Sequence, residues 1–186
     1  GGDLFLLDAG AETEMGYAGD MTSTIPADAT YTTRQKEIYD IVIASHEASI
    51  KELRPGVTFE SVYDISAKVI VEGLKSLGFM RGDAAEAVKA GAHALFYPHG
   101  LGHMMGLDVH DMENLGEIYV GHNGQPKSTQ FGRKSLRLGR MLEPGFVHTI
   151  EPGIYFIPEL IDLWRSERKF EEFINYEKVV TYKDFG

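Results

Sequence analysis

The segment Pro98–Asp111 reads PHGLGHMMGLDVHD, and its glycines at positions 100, 102 and 106 decide what it cannot be. Each glycine costs a helix about 1 kcal/mol relative to alanine, so the spacing predicts an extended or turning chain. The same fourteen residues hold three of the seven histidines, at 99, 103 and 110. On a helix, His99 and His103 would share one face, like the two histidines of an H-E-x-x-H metal site. In an extended chain they stand roughly 13 Å apart. Even two ions roughly 4 Å apart could hardly engage both. The expectation is one metal ligand among the three, with the others contacting substrate or supporting a transition state. For any one of them, an ordinary hydrogen-bonded histidine remains the alternative.

Upstream, the pattern alternates between strands and helices. Leu4 to Asp8 (LFLLD) reads as a short buried strand and Tyr17 to Ile25 as a second, separated by a short polar segment that contains Gly16, giving a hairpin. Thr32 with Gln35 forms a T-x-x-Q capping box, and a helix runs from there to about Leu53, where RPG ends it. Thr58 can cap a second helix carrying Val62, Ile65, Val69, Ile70, Leu74 and Leu77 as an apolar stripe. A short third helix is expected over Asp83 to Ala90, and a polar surface loop over residues 121–135. The run MLEPGFVHTIEPGIYF gives two extended pieces separated by EPG. The fold class is mixed α/β.

Two more clusters carry chemistry. Asp8 and Asp20 are symmetric about Glu14, so a turn centred near Thr13 to Met15 would set them opposite one another, Cβ atoms about 5 Å apart. Facing carboxylates repel, and a divalent cation between them would reverse that. Two separate aspartates on a wet surface remain the other reading. In a strand from Phe146 to Glu151, alternation places Val147, Thr149 and Glu151 on one face and His148 on the other. Glu151, closing an apolar run before Pro152, is expected to be partly buried and to need a cation or donors. His148 is expected to be structural.

Composition bounds the rest. A chain of 186 residues, 43% hydrophobic and 25% charged, suits one soluble globular domain. Its formal charge of −10, with no run of Lys or Arg, argues against a nucleic-acid partner. Without cysteine there is no disulfide, thiolate ligand or cysteine nucleophile. No apolar stretch reaches the roughly 20 residues of a membrane span. The cytoplasm is the expected compartment. Opening on Gly-Gly and stopping at KDFG, residues 1–186 are expected to be one domain of a longer protein, incomplete at both ends.

Three pieces in this order, LLDAGAE with Asp20, PHGLGHMMGLDVHD and TIEPGIYF, resemble the prolidase and aminopeptidase P branch of the pita-bread metallopeptidases across essentially the whole chain. The resemblance implies two related α/β halves around a cleft with two divalent ions, Mn²⁺ foremost, with Co²⁺ or Zn²⁺ possible. It makes Asp8, Asp20, His103 and Glu151 metal ligands, with a fifth, a bridging glutamate, expected beyond Gly186. It gives His110 to the substrate carbonyl, His99 to the pocket beyond the scissile bond, and Arg137 of SLRLGR to the free carboxylate of a dipeptide. Glu151 would also shuttle the proton, so that His110, Glu151 and His99 form the catalytic group. The implied reaction is hydrolysis of the bond before proline in a small peptide, by a Xaa-Pro aminopeptidase or dipeptidase acting as a homodimer. Two features depart from the family pattern. The Asp8 to Asp20 spacing is one residue longer than is common, which suggests a bulge, and a further substrate-side histidine would lie before Gly1. The rivals are a non-catalytic pita-bread protein that binds peptides, a metal-free hydrolase of creatinase type, and a methionine aminopeptidase. Intact ligand positions disfavour the first two, and His99 the third.

Overall fold

A computed structural model describes residues 2–185. Its centre is helical. The capping box at Thr32 has both arms, Gln35 N–H donating to Thr32 Oγ1 at 3.3 Å and Thr32 N–H to Gln35 Oε1 at 2.9 Å. It starts α1, Thr33–Glu52. Thr58 caps α2, Phe59–Ser76, by accepting from Ser61 N–H at 3.2 Å. Both helices thus begin where a side-chain oxygen satisfies an orphan amide. They pack closely because Gly73 has no side chain: a Cβ there would lie 2.6 Å from Ile41 Cγ1. Ser45 Oγ donates to the Ser66 carbonyl at 3.0 Å in the same interface, so its buried hydroxyl is satisfied.

The buried face of α2 is Phe59, Val62, Tyr63, Ala67, Ile70, Val71 and Leu74, and Ile65, Val69 and Leu77 lie on its flanks. Asp83 caps α3, Ala84–Ala90, whose C-terminus ends in left-handed Gly91. Beyond it, Phe79, Phe96, Phe156 and Tyr182 form an aromatic cluster with centroids 4.6 to 6.4 Å apart. Three further helices, α4 (Glu117–His122), α5 (Pro158–Ser166) and α6 (Tyr176–Val179), are not among the elements expected from the sequence. Each is short, and α5 is marked in the sequence mainly by Pro158 at its first turn.

The hairpin forms, with β1 (Leu4–Ala9) antiparallel to β2 (Met21–Pro26). Two expectations about it fail. First, β1 is not buried: Phe5, Leu6 and Leu7 keep 50 to 53% of their surface, because among the described residues the sheet has two strands and no helix packs closely on it. Second, the turn is centred on Met15 and not on Glu14. Gly16 N–H donates to Thr13 O, Thr13 N–H to Tyr17 O, and Gly16 has φ +80°. That is a three-residue loop closed by a left-handed glycine, which sets the register of everything above it. The bulge suggested by the Asp8–Asp20 spacing is not seen among the described residues either: the pairs and an isolated Glu12↔Ala18 bridge keep one register, and the extra residue lies in the turn.

Residues 101–105 and 147–151 run antiparallel, Thr149 N–H donating to His103 O at 3.0 Å and Glu151 N–H to Leu101 O at 2.8 Å. The expected strand from Phe146 to Glu151 is reduced to a single Met104↔His148 bridge, since His103 N–H turns to Thr149 Oγ1. Gly102 permits the approach: a Cβ there would meet Thr149 O at 2.3 Å. Segment 121–135 is less exposed than expected. Gly121 and Gly132 are buried, and Arg133 pins the segment to α2 through Glu60 and Asp64. Among the described residues no helix is long and apolar enough to cross a membrane.

Candidate metal centre

The pairing of residues 101–105 with 147–151 brings His103 and Glu151 together, and the hairpin delivers Asp20 to the same point. His103 Nε2 lies 3.1 Å from Asp20 Oδ2 and 3.3 Å from Glu151 Oε1. One ligand atom from each of the three residues falls within 4.8 Å of the others. His103 Nδ1 is 3.0 Å from Met104 O and donates to it, which leaves Nε2 as the nitrogen turned toward the carboxylates. Burial lowers the proton affinity of His103, but the hydrogen bond to Glu151, the Met104 carbonyl and the Asp20 charge outweigh it and raise its pKa. For Glu151, burial raises the pKa, and hydrogen bonds from His103 and Thr149 hold it below the usual carboxylate range. Two anionic oxygens converging on one imidazole nitrogen call for a proton or a cation. One nitrogen and two carboxylate donors suit Zn²⁺, Co²⁺ or Mn²⁺.

Glu151 is more open than expected, with 43% of its side chain exposed against 5% for His103. Thr149, which sequence reasoning placed on the Glu151 face without a role, joins the pair. Its Oγ1 accepts from His103 N–H at 3.0 Å and donates to Glu151 Oε1 at 2.7 Å. Such a contact beside a ligand fixes its orientation.

Asp8 stands outside this cluster. Its cross-strand partner is Thr22, not Asp20. Because Asp20 is two positions from Thr22, the two aspartates still share a face, as diagonal neighbours roughly 7 to 8 Å apart by Cα. The charge of Asp8 reaches Tyr155, where, after burial and Glu151, it helps to raise the phenol pKa.

A cavity of about 310 Å³ opens beside the cluster, lined by His99, His103, His110, Arg137, Glu151 and Tyr155 among others. A larger groove of about 560 Å³ between α1 and α2 is lined by Ile41, Val69 and Leu77 together with Glu37, Asp40, Lys68 and Glu72, but among the described residues the one cluster able to hold a metal lies at the smaller cavity. His99 donates from Nδ1 to Gly100 O at 2.7 Å, and its buried Nε2 has no hydrogen-bond partner among the described residues. Burial lowers its pKa, against the pull of that carbonyl and of Glu151. Seven residues along the chain do not keep His110 away from His103. The chain doubles back, Asp111 N–H donating to Met104 O at 3.1 Å, and the rings of His103 and His110 stand 4.2 Å apart, edge to face. Arg137 reaches the cavity wall already paired with Glu113, a residue the sequence did not single out. His148 is turned away, its ring against Phe59 at 5.0 Å.

A profile of metallopeptidase family M24 matches residues 1–181. The Xaa-Pro aminopeptidase of Escherichia coli K12 is 44% identical over 158 residues, which is 85% of this chain and 31% of that protein. The Xaa-Pro dipeptidase of Homo sapiens is 36% identical over 185 residues, 100% of this chain and 36% of that protein. A solved structure of an alanine variant of Escherichia coli aminopeptidase P in complex with substrate aligns with a TM-score of 0.69 at 43% identity, covering 86% of this chain and 32% of the other. A zinc-substituted form of that enzyme in complex with product aligns equally well, with a TM-score of 0.69. The chain thus spans about a third of the length of the curated relatives it matches.

Proposed function

The chain belongs to metallopeptidase family M24, and from that premise we propose that the protein is a metal-dependent exopeptidase that hydrolyses the peptide bond preceding proline. The observation that carries this reading is the meeting of Asp20, His103 and Glu151 beside a cavity walled by two further histidines and an arginine. We assign Asp8, Asp20, His103 and Glu151 as ligands of two divalent ions, with Mn²⁺ the native metal, and a pita-bread arrangement of two halves around them. Bound ions would supply Lewis-acid polarisation of the peptide carbonyl and a water ionised near neutral pH.

The protein's own groups do the rest. Glu151 is the proton carrier: Thr149 Oγ1 donates to its Oε1 at 2.7 Å and steadies the carboxylate, which lines the cavity, so it can take a proton and return it to the leaving nitrogen. His110, its ring 4.2 Å from that of His103, would meet the carbonyl as charge develops on its oxygen. His99, kept neutral by burial, lines the far side with Tyr155, their ring centroids 5.2 Å apart. Apolar edges of these two rings suit a proline ring, which offers no N–H to be satisfied. Arg137 grips the free carboxylate when the substrate is a dipeptide, a task suited to a guanidinium fork.

The test is hydrolysis of Gly-Pro and of an Xaa-Pro-Xaa tripeptide by the intact gene product, before and after chelation and with Mn²⁺, Co²⁺ or Zn²⁺ restored. Cleavage before proline, abolished by chelation, is expected. A folded protein that binds these peptides yet cleaves neither with any of the three metals would instead indicate the non-catalytic peptide-binding reading.

A further inference from the structure

Arg137 enters the cavity with part of its charge already engaged. Its Nη1 meets Glu113 Oε2 in close contact and lies 3.8 Å from Glu117 Oε2, and Glu117 in turn pairs with Lys127 Nζ. Lys127, Glu117, Arg137 and Glu113 therefore alternate in sign along one wall. Glu113 is the inner member, with 15% of its side chain exposed against 42% for Arg137. Glu113 is also aimed deliberately. Met112 just before it has φ +58°, a left-handed conformation that a non-glycine residue adopts only at a cost, and Glu113 N–H is tied back to His110 O at 3.5 Å. Among the described residues the Arg137 side chain donates one hydrogen bond, from Nη1 to Glu113, so its Nη2 and Nε edge is left for another partner. A guanidinium fixed at one corner keeps its plane and loses less entropy when a second carboxylate takes the opposite edge.

We propose that Glu113 is a positioning residue for substrate recognition: it holds Arg137 with its open edge toward the cavity, and thereby sets how well the protein accepts Xaa-Pro dipeptides relative to longer peptides. The inference rests on the role given to Arg137 above. Only a dipeptide places its carboxylate directly beyond the proline, so only a dipeptide uses that edge. Glu113 contacts no substrate atom in this scheme. Its distance to His110 Nδ1, 3.9 Å, is too long for a hydrogen bond, so it acts through Arg137.

The experiment compares wild type, Glu113→Gln and Glu113→Ala in the intact gene product, on Gly-Pro and on an Xaa-Pro-Xaa tripeptide. Expected is a KM for Gly-Pro raised about tenfold in Glu113→Ala, in line with loss of one charged hydrogen bond. In Glu113→Gln, which can still accept from Nη1, the rise should be smaller. kcat should change little, and the tripeptide should lose less than threefold. Equal losses on both substrates, no loss on either, or a lower KM for Gly-Pro would each overturn the proposal; the last would mean that Glu113 opposes the substrate carboxylate. If wild type cleaves neither peptide, the functional reading fails on its own. Crystal structures of wild type and Glu113→Ala then decide the positioning role: an Arg137 guanidinium that shifts supports it, and one that stays in place overturns it.

Discussion

The helical body and the β1/β2 hairpin bring candidate ligands to one side of the molecule from opposite kinds of structure. Around α2 the side chains of Phe59, Val62, Tyr63, Ile70, Leu74 and Phe79 have no exposed surface. In the hairpin, Phe5, Leu6, Leu7, Met21 and Ile25 keep about half their surface or more. The hairpin is held at its ends instead: Tyr31 Oη donates to Thr24 O at 2.8 Å near the base, and Ala18 N–H to Gly106 O at 2.9 Å near the tip. His103 and Glu151 therefore belong to the side braced by packing, and Asp8 and Asp20 to the side braced by a few hydrogen bonds. A metal ligated from both would act as a clasp between them, and its affinity would include whatever it costs to hold the hairpin still.

This difference can be broken most severely from the body. Phe79→Ala removes the hub of the aromatic cluster and should cost about 3 to 5 kcal/mol, the usual range for a buried phenylalanine. Phe5→Ser, at 53% exposure, should cost under about 1 kcal/mol. Urea titrations of both variants check this, and comparable losses would show that the hairpin is packed in solution.

Acid should act on the body as well. Burial pushes the His93 imidazole down from 6.5 to about 4, with Arg133 adding to the effect. Between those values the unfolded chain takes up a proton that the folded chain refuses. Stability that is complete above pH 6.5 is therefore lost as the pH falls toward 4, by about 3 kcal/mol. The decline in urea midpoint from pH 7 to 4.5 should be smaller in His93→Gln than in wild type. Parallel declines would show that other groups carry the acid sensitivity.

The smallest effect sharpens the contrast from the hairpin side. Gly16 has φ +80° with open space around it, so Gly16→Ala strains only the turn, by about 1 kcal/mol. Amide exchange at Tyr17 and Ala18 should quicken while the global urea midpoint barely moves. A fall in the global midpoint equal to the local loss would mean that the hairpin and body open as one unit.

Much of this organisation was legible in the sequence where one local interaction decides. Thr32 with Gln35, Thr58 and Asp83 each mark a helix start, because a capping oxygen acts within three residues. Asp20, His103 and Glu151 stood out as polar residues in apolar or glycine-rich settings, but spacing did not choose His103 over His99 and His110; only the family resemblance did. What was hidden depends on distance along the chain. That Asp8 faces Thr22 follows from one glycine in the turn, which moved the register by two residues in the sum of paired positions. That His110 returns to His103 follows from a backbone bond between Asp111 and Met104, which no periodicity announces. Burial of the LFLL strand was misjudged because a run of apolar residues shows what could be covered and not what covers it.

The central claim is that His103 holds metal while His110, with its ring only 4.2 Å away, does not. Calorimetric titration of Mn²⁺ into wild type, His103→Ala and His110→Ala, each checked for an unchanged fold by circular dichroism, tests it directly. The account requires high-affinity binding to disappear in His103→Ala and to persist in His110→Ala, whose loss is confined to turnover. Equal loss of metal in the two variants would contradict it.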